Sequence, residues 1–175
     1  MARAALIAVA LCGAVALSAG AVWSWRQAAP ELDPAARSFF ALSLPDADGV
    51  QRPLKTWQGK LLIVNFWATW CAPCVEEMPQ LQKMADEFAP RNVAVIGIGV
   101  DDADKIRQFR SEHRIRIPLL AAGFDGMELA RHLGNPEPVL PYTALISPEG
   151  LIVEQHSGRI EEREVRQWVA EHGTR

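Results

Sequence analysis

A chain of 175 residues with 49% apolar composition can build one domain around one core, and has no comfortable room for a second. The formal net charge is −3, and setting aside Arg3 and Arg26, which flank the first apolar run, leaves 16 basic against 21 acidic residues with no basic patch, which argues against nucleic acid as a partner. Three cysteines are too few for the disulfide-stapled scaffold of a small secreted domain.

Ala4 to Trp25 runs for 22 residues without a charge. Such a run can cross a bilayer as a helix. Residues 1–26 therefore read as an N-terminal membrane anchor, with Trp23 and Trp25 at the lipid–water interface, or as a signal peptide cut near Ala19-Gly20-Ala21. Cys12, inside the run, reads as a small apolar membrane residue. Arg3 and the terminal amine should stay cytoplasmic, which puts the rest of the chain outside. Either reading gives an extracytoplasmic, periplasmic-type domain, tethered to the cytoplasmic membrane in one case and soluble in the other. Residues 27–37, with Pro30 and Pro34, read as a linker, and 38–175 as the domain.

Within the domain, Phe39–Leu44 and Val50–Leu54 flank Asp46-Ala47-Asp48-Gly49 and predict an N-terminal hairpin. Leu61–Ala68 is almost continuously apolar, as is a strand covered on both faces. From Cys74 to Phe88 the apolar residues recur at helical spacing, interrupted by Pro79. Val93–Val100 is a second buried strand, and Asp101–Glu112 a helix opened by acidic residues. Ile117–Ala121 predicts a short strand and Met127–Leu133 a short helix. Tyr142–Ser147 and Leu151–Gln155, on either side of Pro148-Glu149-Gly150, predict an antiparallel hairpin, and Glu161–His172 a last helix. The alternation gives an α/β fold with a mixed central sheet flanked by helices.

The chemistry concentrates at Trp70-Cys71-Ala72-Pro73-Cys74. Positions three apart on a helix are neighbours, close enough for a disulfide after modest adjustment. Cys71 stands where a strand gives way to a helix, so unpaired N–H groups and the positive dipole end favour its thiolate. Cys74 lies one turn further in and more buried. That asymmetry predicts Cys71 as nucleophile and Cys74 as resolving thiol. Pro73 suits a first helical turn. Trp70 either covers one side of the site or is a core aromatic. A metal site is disfavoured, since tetrahedral zinc wants four ligands and His113, His132, His156 and His172 are scattered.

The segment Asn65-Phe66-Trp67-Ala68-Thr69-Trp70-Cys71-Ala72-Pro73-Cys74-Val75-Glu76-Glu77-Met78-Pro79 resembles the active-site segment of TlpA/ResA/CcmG-type membrane-anchored thioredoxin-like thiol–disulfide oxidoreductases. The likeness continues through Pro141–Gly150. It implies a thioredoxin-like fold with an extra strand–helix insertion, which Ile117–Leu133 fits. By the same resemblance Pro141 matches the family's cis-proline, whose loop faces the cysteines and docks partner backbone. Glu77 matches an acidic residue beside the dithiol that could shuttle a proton; otherwise it is a solvated helix charge. Asn65 stands where cytoplasmic thioredoxins bury an aspartate. Pro136-Glu137-Pro138 would stiffen the loop facing the site. The implied activity is reduction of specific protein disulfides, such as those of apocytochrome c or of copper-site maturation partners. The couple itself would be the only redox group, fed by a membrane dithiol donor.

Two other functions fit the same residues. A peroxiredoxin-like thiol peroxidase would want Thr or Ser three residues before its cysteine, where this chain has Ala68. A non-catalytic copper-binding module would use both thiolates but lacks a further ligand.

Overall fold

The computed structural model describes residues 32–173; the anchor or signal-peptide reading of 1–26, Cys12 with it, and linker residues 27–31 lie outside the described residues. Among the described residues no helix is long and apolar enough to cross a membrane.

The first element is a helix, α1 (Pro34–Phe40), and its first half occupies the end of the stretch read as linker. A strand over Phe39–Leu44 was expected and is not formed as such. Asp33 Oδ1 caps the helix by accepting the Ala35 N–H at 2.8 Å, and Pro34 fills the first turn. Ala36, Phe39 and Phe40 then fall three and four residues apart on one buried face. That is a helical period, and the burial it gives overrides the extended reading. Only Ser43–Pro45 is left as strand β1, paired antiparallel with β2 (Gln51–Pro53). The turn between them is held by Asp46 Oδ1, which accepts from the N–H groups of Asp48 and Val50.

The remaining elements follow the expected order. They are β3 (Leu61–Trp67), α2 (Ala72–Phe88), β4 (Val93–Gly99), α3 (Ala103–His113), β5 (Leu119–Ala121), α4 (Asp125–His132), β6 (Tyr142–Ile146), β7 (Ile152–Ser157) and α5 (Glu162–His172). Strand order in the main sheet is β5-β4-β3-β6-β7. β3 runs parallel to β4 and antiparallel to β6, so the sheet is mixed. β5 starts two residues later than its apolar run. The Arg116 and Ile117 N–H groups bond Gln82 Oε1 on α2, at 2.6 and 2.9 Å, instead of entering the ladder. β6 and β7 form the expected hairpin, whose Gly150 (φ +81°) also leaves no room for a Cβ against Leu32.

Every residue of β3 is buried, and its side chains divide by parity. Leu62, Val64 and Phe66 join Ile96, Ile98, Tyr142 and Phe39 in one cluster. Leu61, Ile63 and Trp67 join Met78, Leu81, Phe109 and Trp168 in the other, beneath α2, α3 and α5. Parity places Asn65 on this second side. β3 and β4 both end at the same edge of the sheet, and α2 begins there.

Candidate active site

Cys71 is the N-cap residue of α2, in extended geometry (φ −93°, ψ 99°), and Cys74 lies in the first turn. The two are joined by a disulfide with their Cα atoms 5.3 Å apart. Cys71 is 7% exposed and Cys74 fully buried, the asymmetry expected from the sequence. Pro73 sits in the first turn, where its missing N–H has no helical partner to lose. That turn carries no acidic residue to offset the positive end of the helix. Trp70 is 65% exposed, so it is not a core aromatic. It stands at the surface beside the pair.

Behind the cysteines lies a buried polar cluster. Glu77 is fully buried, not a solvated helix charge. One helical turn beyond Cys74, its Oε1 accepts from Asn65 Nδ2 at 2.7 Å and its Oε2 from the Ile160 N–H at 3.0 Å. Asn65 Nδ2 also reaches Thr143 Oγ1 on β6 at 3.0 Å, while Asn65 Oδ1 has no partner among the described residues. Burial pushes the Glu77 carboxyl up to about 7. The Ile160 and Asn65 hydrogen bonds, and the nearby His156 and Arg159, pull the other way without cancelling it. A carboxyl poised near neutrality, one turn from a redox sulfur, can hold or release a proton there.

The loop that supplies the Ile160 N–H is itself pinned. His156 Nδ1 lies 2.8 Å from Glu164 Oε1, and Nε2 lies 3.2 Å from the Arg159 carbonyl. Arg159 in turn bonds Glu76 at 3.0 Å, and Gly158 turns the chain at φ +94°. On the other side of the cysteines the Leu140–Pro141 bond is cis. The Phe66–Tyr142 register places Pro141 at the sheet edge from which α2 begins. Its approach is held by Asn135, whose Nδ2 bonds the Val139 carbonyl at 3.0 Å, and by Tyr142 OH, which bonds the Leu133 carbonyl at 2.8 Å.

The sequence residues Cys71, Cys74, Trp70, Pro73, Glu77, Asn65 and Pro141 thus lie at one edge of the sheet or just beneath it. Four supporting contacts escaped sequence reasoning: Thr69–Asp101, Asn135–Val139, Glu77–Ile160 and Asn65–Thr143. The first braces the residues just before Cys71. Buried Asp101 accepts from both the Thr69 N–H and its hydroxyl, at 2.8 and 2.7 Å. An acidic residue directly after an apolar strand was the one available cue, and it was read only as a helix start. A cavity of about 670 Å3 lies between the β1–β2 hairpin and β5 and holds none of these residues.

A mixed five-stranded sheet, with a Cys-x-x-Cys disulfide couple at the N-terminus of the helix after its central strand, defines a thioredoxin-like thiol–disulfide oxidoreductase. Residues 35–155 match the AhpC/TSA family, and the chain belongs to it. Curated relatives agree with the class. The thiol-disulfide oxidoreductase ResA of Bacillus thuringiensis is 26% identical over 165 residues, covering 94% of this chain and 91% of the relative. The thioredoxin-like protein YneN of Bacillus subtilis is 30% identical over 129 residues, covering 71% and 72%. A crystal structure of a thioredoxin-family thiol:disulfide interchange protein from Chlorobium tepidum has the same fold. Its TM-score is 0.67 at 22% identity, with 75% of this chain and 92% of that one covered.

Proposed function

We propose that this protein is an extracytoplasmic reductase of protein disulfides, with Cys71 as nucleophile and Cys74 as resolving thiol. What supports the reading is the geometry of the pair: one cysteine slightly exposed on a helix N-terminus, the other fully buried one turn from a carboxyl poised near neutrality. The Cys71 thiolate, stabilised by the helix end, attacks one sulfur of the partner disulfide. That S–S bond breaks, the leaving thiolate takes a proton, and a mixed disulfide remains. The Cys74 thiol gives its proton to the Glu77 carboxylate and attacks Cys71 Sγ; the bond from Cys71 to the partner breaks, and the partner's second thiolate leaves and takes a proton from Glu77 or solvent. The partner gains two electrons and two protons, and the Cys71–Cys74 disulfide forms. A dithiol donor reverses these steps to reset the pair.

In this scheme Asn65 and the Ile160 N–H hold Glu77 in place. Trp70 and the cis-Pro141 loop flank the sulfur and receive the partner's backbone, and Pro73 starts the helix. The couple is the only redox group required. The apolar run of residues 1–26 would tether the domain outside the cytoplasm, or direct its export, and the donor is then a membrane dithiol carrier. Specific disulfides such as those of apocytochrome c or of copper-site maturation proteins are the proposed substrates.

The reduction potential of the Cys71–Cys74 couple, measured in thiol redox buffers, tests the direction. A value well below about −200 mV is expected for a reductant. A value near about −120 mV makes the protein a disulfide donor instead, and the lack of any reversible couple removes the exchange reading altogether.

A further inference from the structure

Among the described residues the phenylalanines, tryptophans and tyrosine are buried or half-buried except two, Trp70 at 65% and Phe124 at 88% exposure. Both stand at the same edge of the sheet. Trp67 is paired with Gly99, and Gly99 with Ala121, so β3, β4 and β5 end level with one another. Trp70 lies three residues beyond the first of these ends and Phe124 three beyond the last.

The two are linked by a short chain of contacts. Thr69, before Trp70, is bonded through its N–H and hydroxyl to Asp101 at the end of β4. Val100, before Asp101, donates its N–H to the Trp67 carbonyl at 2.8 Å. Its side chain packs on Gly126, where an added Cβ would come within 3.0 Å of it. Gly126 and Met127 return their N–H groups to the Gly123 and Phe124 carbonyls, at 3.1 Å each, closing the turn that carries Phe124. The phenyl ring is therefore mounted on rigid backbone and left without a covering group among the described residues. It belongs to the β5–α4 insertion. Val139, 37% exposed on the Pro141 loop, adds a third apolar side chain at this edge.

We propose that Phe124 is a second anchor for the polypeptide that presents its disulfide to Cys71, holding an apolar side chain of that partner while Trp70 flanks the reacting sulfurs. The proposal rests on the exchange reading above and adds to it a partner of stated chemistry: an extended, incompletely folded segment with an apolar residue near its cysteine. Continuity with the surface that must meet the partner argues for this occupant. Adjacent strands lie about 4.8 Å apart, so β5 is roughly 10 Å from β3, which an extended chain covers in about three residues. The preferred segment then carries its apolar side chain about three or four residues from the cysteine.

The test compares the full reduced chain with Phe124→Ser in stopped-flow exchange. The probes are cystamine and synthetic disulfide peptides bearing leucine or serine three or four residues from one cysteine. The wild type should reduce the leucine peptides about fivefold faster than the serine peptides, the factor expected when part of an apolar side chain is buried. Phe124→Ser should abolish that preference while leaving the cystamine rate and the reduction potential unchanged. Equal rates on leucine and serine peptides in the wild type, or a preference that survives in Phe124→Ser, overturn the anchor and leave the exchange reading standing. A wild type inert to every probe overturns both.

Discussion

On one side of β3, Leu62, Val64 and Phe66 lie in a cluster of apolar side chains. On the other, Leu61, Ile63 and Trp67 do nearly the same, but Asn65 interrupts the stripe and is answered by Glu77 from α2 and Thr143 from β6. One strand thus carries a face that is purely apolar packing and a face that bonds a buried carboxyl one turn beyond Cys74. Burying a carboxyl and an amide is costly unless each is bonded, and here Asn65 Oδ1 has no bond partner among the described residues. A purely structural layer would replace the cluster with leucine-like side chains. The cluster stands on the face packed beneath α2, the helix that carries the cysteines.

The comparison breaks most visibly on the apolar side. Phe66 is fully buried, with its ring 6.1 Å from that of Tyr142. Phe66→Ala should lower stability by about 4 kcal/mol, the usual cost of removing a buried aromatic. Urea unfolding of the oxidised protein measures this. Below the unfolding transition, the exchange rate with a small disulfide should stay within about twofold of wild type, since the change is one of global stability. A collapse of that rate without loss of stability would show that this face takes part in the chemistry.

On the polar side the distinguishing effect is pH. Burial raises the folded carboxyl of Glu77 to about 7, against an ordinary 4.5. Below the lower value both folded and unfolded chains hold the proton, and stability is unaffected. Between the two the folded state keeps a proton that the unfolded state has released, so stability falls as pH rises, by about 1.4 kcal/mol per unit. Above about 7 both forms are ionised and the loss, on the order of 3 kcal/mol, is complete. Glu77→Gln should lack this fall. The difference between the two proteins' unfolding free energies, followed from pH 4 to 8, is expected to change in that window and to flatten beyond it. Parallel curves would show that the Glu77 carboxyl ionises as it does in the unfolded chain.

The two faces were unequally legible in the sequence. Unbroken apolar runs at Leu61–Ala68 and Val93–Val100 announce strands covered on both sides, and the cysteine spacing announces the couple, because both are local patterns. Helix α1 was missed because its evidence is divided. The cap at Asp33 and the buried face at Ala36, Phe39 and Phe40 straddle the boundary drawn between linker and domain. Glu76 and Glu77 are the same residue side by side, yet one pairs with Arg159 at the surface and the other is fully buried. What separates them is the arrival of the Ile160 N–H, 83 residues along the chain. The brace between Thr69 and Asp101 spans 32 residues and has no local signature either. Resemblance supplied Asn65, Glu77 and Pro141 as candidates, but the environment that makes a carboxyl titrate near neutrality is a property of packing.

The smallest expected effect probes the interruption itself. Asn65→Leu keeps the branching of the side chain and removes the amide, so Glu77 Oε1 and Thr143 Oγ1 lose their shared donor, while the packing penalty of the bulkier methyl groups is the same at every pH. At pH 5 the Glu77 carboxyl is protonated and neutral, and the lost bond is one between uncharged groups. The cost there should be about 1 kcal/mol, partly offset because the unpartnered Asn65 Oδ1 disappears as well. At pH 8 the same donor serves a buried carboxylate, for which such a bond is worth about 1.5–3 kcal/mol. The variant should therefore differ less from wild type in acid and fall further behind it as pH rises through neutrality. The midpoint of the Glu77 titration should move further up, because only the Ile160 N–H then remains bonded to the charged form. A destabilisation of the same size at both pH values would mean that Asn65 merely fills space. Growth with pH would mean that the amide is held in the apolar stripe for the carboxylate it faces.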